Sequence, residues 1–163
     1  MSGPEDLFNS VYNELFDDIY AYFNICLGES FAADLSQEVF LKVWKMIESN
    51  SAPENWRAWV FRCAVNLKND SLRKKYTVKE IAFTEENSGN DDGLDAVHIR
   101  NAFSSLKADE RELLSLKSFG FKSEEIGDMM GISASAVRTR LQKAKQSFSE
   151  LLGEKENDNE QYR

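Results

Sequence analysis

The chain reads as an all-α protein made of two small helical domains. Three observations predict this: apolar residues recur at spacings of three and four through nearly every segment, no strand-like alternation persists, and one acidic, weakly hydrophobic stretch divides the chain. With 163 residues, 42% of them hydrophobic, there is enough apolar side chain for a core in each half.

Leu7, Val11, Leu15, Ile19, Tyr22 and Phe23 mark one face of a first amphipathic helix, and Gly28 suits its C-terminus. A second helix is predicted over residues 32–48. Residues 49–53 form a turn, and Pro53 is placed in the first turn of the third helix, where a missing N–H costs nothing. That helix runs to about Tyr76. Residues 77–95 include Glu85, Glu86, Asn87, Ser88, Gly89, Asn90, Asp91, Asp92 and Gly93, a composition that predicts a flexible linker. The first domain is therefore expected at residues 1–76 and the second at residues 96–153. In the second, Val97, Phe103, Leu106, Leu113, Leu114 and Leu116 predict two helices broken near Lys107, followed by a helix-turn-helix. A polar tail, residues 154–163, is expected to fray.

The net charge of −8 argues against a general nucleic-acid binder, but the charges are segregated. Residues 1–56 carry ten acids and two bases, residues 57–79 one acid and seven bases, and residues 80–99 six acids with no Lys or Arg. Residues 134–148 hold Arg138, Arg140, Lys143 and Lys145 and no acid. Two basic patches in an acidic protein point to different partners for different faces.

The C-terminal patch sits on the helix-turn-helix, from about Lys122 to Phe148. Ser123 is a candidate cap for its first helix, with Glu124 and Glu125 where the helix dipole favours acids. Ile126, Met129 and Met130 are expected to face inward, Gly131 suits a left-handed turn, and Ser133 can cap the second helix. Val137, Leu141, Ala144 and Phe148 fall on one buried stripe. Ser135, Arg138, Thr139, Gln142, Lys143 and Lys145 then point outward, mixing hydrogen-bonding groups for base edges with cations for phosphates. The small residues at the helix start, Ala134, Ser135 and Ala136, permit close approach to a groove. A lone basic amphipathic helix is more often just solvated; the preceding helix and glycine turn favour duplex DNA.

On the third helix an apolar stripe of Trp56, Val60, Cys63 and Leu67 is expected to be buried. Arg62, Asn66, Asn69 and Arg73 follow the same spacing on another face and can hydrogen-bond exposed bases and backbone, with Lys74 and Lys75 adding charge or simply opposing the helix dipole. Trp44, Trp56 and Trp59 read as core residues rather than base-stacking platforms.

Cys26 and Cys63 lie in apolar helical patterns without metal-site spacing and read as reduced core residues. No apolar run approaches the roughly 18 residues of a membrane span and the first residues are not signal-like, so a cytoplasmic protein without membrane insertion is expected. His98, the one histidine, sits beside the linker, and the carboxylates are spread over solvated faces; no catalytic constellation or cofactor site is expected.

The stretch from Ala33 to Trp44 (ADLSQEVFLKVW) resembles region 2 of bacterial RNA polymerase sigma factors of the extracytoplasmic-function type. The stretch from Trp56 to Leu67 (WRAWVFRCAVNL) is similar to the promoter-melting part of that region. Leu106 to Arg111, Ser123 to Ile126, Gly131 to Ser133 and Val137 to Leu141 are similar to region 4. These matches occur in the family's order over most of the chain. The resemblance implies that Asp34, Gln37, Glu38, Phe40, Leu41 and Trp44 contact the clamp helices of core RNA polymerase. It implies that Arg62, Asn66, Asn69, Arg73 and Lys74 recognise and open the minus-ten element. The helix-turn-helix, with Ser133, Ser135, Ala136, Arg138, Thr139, Arg140, Gln142, Lys143 and Lys145, would read the minus-thirty-five element. The linker would thread toward the RNA exit channel, and an anti-sigma partner is implied. Against the family's pattern, Ala33 stands where an acid is usual, Gly127 stands where alanine is usual, and residues 7–27 hold no Lys or Arg. The competing expectation is a stand-alone helix-turn-helix regulator that binds duplex DNA without opening promoters.

Overall fold

The computed structural model describes residues 3–74 and 93–160, and all seven elements among them are helices. They are α1 (Pro4–Leu27), α2 (Glu29–Glu48), α3 (Trp56–Lys74), α4 (Leu94–Ser104), α5 (Ala108–Ser118), α6 (Ser123–Met130) and α7 (Ala134–Glu160). Two compact units result, the first essentially α1–α3 and the second essentially α4–α7. Of the expected linker, residues 77–92 lie outside the described residues, as do Lys75 and Tyr76. Leu94 and Asp95 already belong to α4, which Gly93 precedes.

Helix α1 starts on Pro4, and the Gly3 N–H donates to the Asp6 carboxylate at 3.0 Å, so the first turn satisfies one of its own orphan donors. It ends at Gly28, whose φ of +89° favours glycine and whose N–H returns to the Asn24 carbonyl at 2.9 Å. Val11, Leu15, Ile19, Tyr22 and Phe23 are buried as the spacing predicts, whereas Leu7, one turn from the helix start, is exposed. Helix α2 begins at Glu29, directly after the glycine rather than at residue 32. Helix α3 begins at Trp56. Pro53 lies before it, and Asn55 caps it by accepting the Ala58 N–H at 3.1 Å, a bond proline cannot supply.

The three helices of the first unit pack pairwise. Phe40 lies at the centre of one seam, 3% exposed, with its ring 6.4 Å from Phe8, 4.9 Å from Tyr12 and 5.7 Å from Phe16. A second cluster joins Tyr22 to Phe23 and Phe61, all three fully buried. Each such side chain stabilises the unit by about 1.5–3 kcal/mol through burial alone. The buried face of α3 consists of Val60, Phe61, Ala64, Val65, Leu67 and the stem of Lys68. The expected stripe is thus rotated: Val60 and Leu67 belong to it, whereas Trp56 and Cys63 sit half-buried at its margin. The large ring of Phe61 draws the helix round, because burying it gains more than burying a thiol. The three tryptophans are half-buried and packed on protein rings, Trp44 on Phe8 at 5.5 Å and Trp56 on Trp59 at 5.7 Å.

In the second unit α4 and α5 both pack on α7, around Ala102, Leu113, Leu116 and Ala144. The break expected near Lys107 is real, and Arg111 bridges it by donating from Nη1 to the carbonyls of Ser104 and Leu106. Glu110, 7% exposed, accepts the Lys107 N–H and the Ser147 hydroxyl, tying the start of α5 to α7. His98 is half-buried and its Nε2 lies 3.1 Å from the Leu152 carbonyl, so it joins α4 to α7 rather than lying idle on the surface. Helix α7 continues to Glu160, past residue 153 where a frayed tail is expected.

Candidate nucleic-acid interfaces

The helix-turn-helix is built from α6, the turn at residues 131–133 and the first half of α7. Lys122 caps α6: its carbonyl accepts the Ile126 N–H and its own N–H is taken by the Glu125 carboxylate at 3.0 Å. Ser123 therefore lies in the first turn instead of capping it. Ile126 and Met129 are buried and Met130 is half-buried. Gly131, at φ +72°, makes the left-handed turn, and the Ile132 N–H returns to the Gly127 carbonyl at 3.0 Å. At Gly127 a Cβ would stand 2.6 Å from the Ile132 carbonyl oxygen, closer than side chains tolerate, so this turn is drawn tight against α6.

Ser133 caps α7, its Oγ accepting the Ala136 N–H at 3.1 Å, as its position after the turn predicts. Val137, Leu141 and Ala144 are buried, and Phe148 is half-buried edge-on against Phe103 at 6.0 Å. Ser133, Ser135, Arg138, Thr139, Arg140, Gln142, Lys143 and Lys145 are all exposed on the remaining faces, and Ala136 is half-buried. The Thr139 hydroxyl donates to the Ser135 carbonyl at 3.1 Å, so on this exposed residue its oxygen keeps its acceptor capacity. Arg138 is paired, its Nη2 lying 3.2 Å from the Glu124 carboxylate. The Glu124 carboxyl is held below the usual carboxylate range, chiefly by its own backbone N–H and, against the opposing effect of desolvation, by the charge and hydrogen bond of Arg138 and the charge of Lys122.

On α3 the polar face persists: Arg62, Asn66, Arg73 and Lys74 are exposed and Asn69 is half-buried. Among the described residues Arg62, Asn66 and Asn69 make no side-chain hydrogen bond, so their donors and acceptors are available, while Arg73 pairs with Asp70 at 3.2 Å on the exposed surface. Two members of the basic patch turn inward. Arg57 bonds Asp18 of α1 at 3.0 Å and lies 5.3 Å over the Phe61 ring, and Lys68 is 8% exposed. On α2, Asp34, Gln37, Glu38 and Leu41 are exposed, Leu41 by 61%, and Trp44 is half-buried. Phe40 is not available to a partner, because the aromatic seam between α1 and α2 consumes it. That role follows from the α1 rings opposite, which the local motif does not reveal. None of the described helices is long and apolar enough to cross a membrane.

Comparison with known proteins matches residues 11–77 to the sigma-70 region 2 model and residues 97–148 to the sigma-70 region 4 model. RNA polymerase sigma factor CarQ of Myxococcus xanthus is 28% identical over 94% of both chains. The ECF RNA polymerase sigma factor SigW of Bacillus subtilis is 26% identical over 92% of this chain and 91% of its own. Among solved structures, sigma factor RpoE of Bartonella quintana, in complex with the anti-sigma factor NepR, superposes with a TM-score of 0.73 at 22% identity, covering 90% of this chain and 96% of that one. CnrH, in complex with the cytosolic domain of CnrY, gives 0.62 at 22% identity, covering 90% and 87%. With both region models matched in chain order and relatives that share nearly its whole length, the chain belongs to the extracytoplasmic-function sigma factors of RNA polymerase, which direct the core enzyme to specific promoters and initiate transcription.

Proposed function

We propose that this sigma factor divides its work over three exposed faces. The outward face of α7, led by Ser135, Arg138, Thr139 and Gln142, reads the minus-thirty-five duplex, and Arg140, Lys143 and Lys145 contact its phosphates. The Arg62, Asn66, Asn69, Arg73 and Lys74 face of α3 recognises and opens the minus-ten element, since the uncommitted amides of Asn66 and Asn69 and guanidinium of Arg62 suit unpaired bases. Asp34, Gln37, Glu38, Leu41 and the edge of Trp44 on α2 dock on core polymerase. Residues 1–76 thus serve polymerase and minus-ten contacts, and residues 96–153 the minus-thirty-five contact.

The observation that carries this reading is the Ser133-capped helix behind the Gly131 turn, with every polar candidate outward and its apolar stripe inward. The chain adds binding specificity and no catalytic step of its own, and it works in the cytoplasm beside the polymerase. An anti-sigma factor holds it inactive, in the way that RpoE is found with NepR.

Mixing the purified chain with core RNA polymerase and a library of promoter fragments is expected to yield specific run-off transcripts. Arg138→Ala then weakens duplex engagement, whereas Asn66→Ala impairs opening more than initial binding. If duplex binding occurs but no polymerase-dependent transcript appears, the chain is a stand-alone regulator and the assignment of α2 and α3 is wrong.

A further inference from the structure

Four cations, Arg138, Arg140, Lys143 and Lys145, stand exposed on the first half of α7, and they are not equivalent. Among the described residues Arg140, Lys143 and Lys145 form no ion pair, while Arg138 is held from the preceding helix by Glu124. A phosphate contact gains from free positive charge and tolerates a mobile side chain. A base contact instead needs the guanidinium fixed in one plane, because its donors form a rigid fork that must meet two acceptors at once. Glu124 takes one edge of Arg138 through Nη2 and leaves the other donors open to solvent. It also opposes the arginine's charge and sets a carboxylate beside any phosphate that approaches it.

We infer that Glu124 is a specificity-determining residue: it orients Arg138 for a base edge and discourages Arg138 from binding phosphate wherever the chain lands. This rests on the reading of α7 as the duplex-reading helix. Glu124 acts through Arg138 and is a positioning residue. Its removal leaves the fold of α6 intact, since Glu125 makes the bond to the Lys122 N–H and Glu124 itself is exposed.

The test uses holoenzyme assembled from the full chain and core RNA polymerase, with a promoter library randomised upstream of the start site and the transcripts sequenced. Arg138→Ala is expected to flatten the preference at one upstream base position by about tenfold, the size of a bidentate base contact. Glu124→Gln is expected to weaken preference at that same position by about two- to fivefold, the range of an exposed ion pair, and to raise output from templates mismatched there. In the Arg138→Ala background, Glu124→Gln should add nothing. An effect of Glu124→Gln spread evenly over positions, an effect that survives in the double variant, or no effect at all overturns the inference while leaving α7 as the reader. If Arg138→Ala itself shifts no position, the duplex-reading assignment fails and the role of Glu124 fails with it.

Discussion

Phe40 and Leu41 are neighbours in the stretch that resembles a polymerase-binding motif, and the structure gives them opposite tasks. Phe40 is 3% exposed and its ring meets three others; Leu41 is 61% exposed. Truncating a buried Phe to Ala costs about 3–5 kcal/mol, and each lost ring pair adds to the upper half of that range. For Phe40→Ala a value of about 4 kcal/mol is expected, which in a unit of this size lowers Tm by roughly 15–30 °C. Leu41→Ala removes a solvated side chain and should change stability by less than about 0.5 kcal/mol while weakening polymerase binding. Intrinsic fluorescence is the suitable assay, because Trp44, Trp56 and Trp59 all lie in the first unit and Trp44 touches Phe8, which touches Phe40. Urea unfolding followed by tryptophan emission therefore reports this unit alone. Polymerase capture is then measured at a temperature where both variants are folded. If Phe40→Ala melts like the parent yet loses polymerase, Phe40 is a contact residue and the packing argument is wrong.

Gly131→Ala should destabilise the helix-turn-helix by about 1–2 kcal/mol, since a Cβ at φ +72° meets the following carbonyl; far-UV melting checks this, and an unchanged melt would contradict the turn geometry. Ser133→Ala removes the bond to the Ala136 N–H and should cost about 1 kcal/mol, with Ser133→Asp, which restores an acceptor, melting close to the parent. Burial, opposed by Lys42 and Arg62, raises the Cys63 thiol above its ordinary range, so at neutral pH it should alkylate more slowly in the folded protein than after urea unfolding, read as peptide mass shifts. Glu124 has a depressed folded-state pKa, so any stabilisation from its ionised form is present above its unfolded value and lost only as pH falls through the folded one. Promoter preference should accordingly stay flat between about pH 6 and 8, and a step in that window would exclude the Glu124–Arg138 pair as the determinant.

Much of this molecule is written in residues that lie within one turn of each other. The helices, the Gly28 and Gly131 turns, the Ser133 cap and the inward stripe of Val137, Leu141 and Ala144 follow from periodicity and backbone preference, which act locally, and the structure agrees with them. The ordered resemblance from Ala33 to Leu141 points to the same family that both region models match. Local signals also erred by small steps where two residues competed for one job: Asn55 rather than Pro53 starts α3, and Lys122 with Glu125 rather than Ser123 caps α6.

The partners across space were decided by tertiary structure alone. Phe40 sits in a motif that suggests a docking contact, but the rings of Phe8, Tyr12 and Phe16, more than twenty residues away, bury it. Arg57 and Lys68 count toward a basic patch in the sequence, yet Asp18 and the unit's interior withdraw them from it. Arg138 reads as one cation among four until Glu124, from the neighbouring helix, singles it out. Helical periodicity says which residues share a face; which neighbour covers that face, and which charge is answered there, depends on residues far away in the chain.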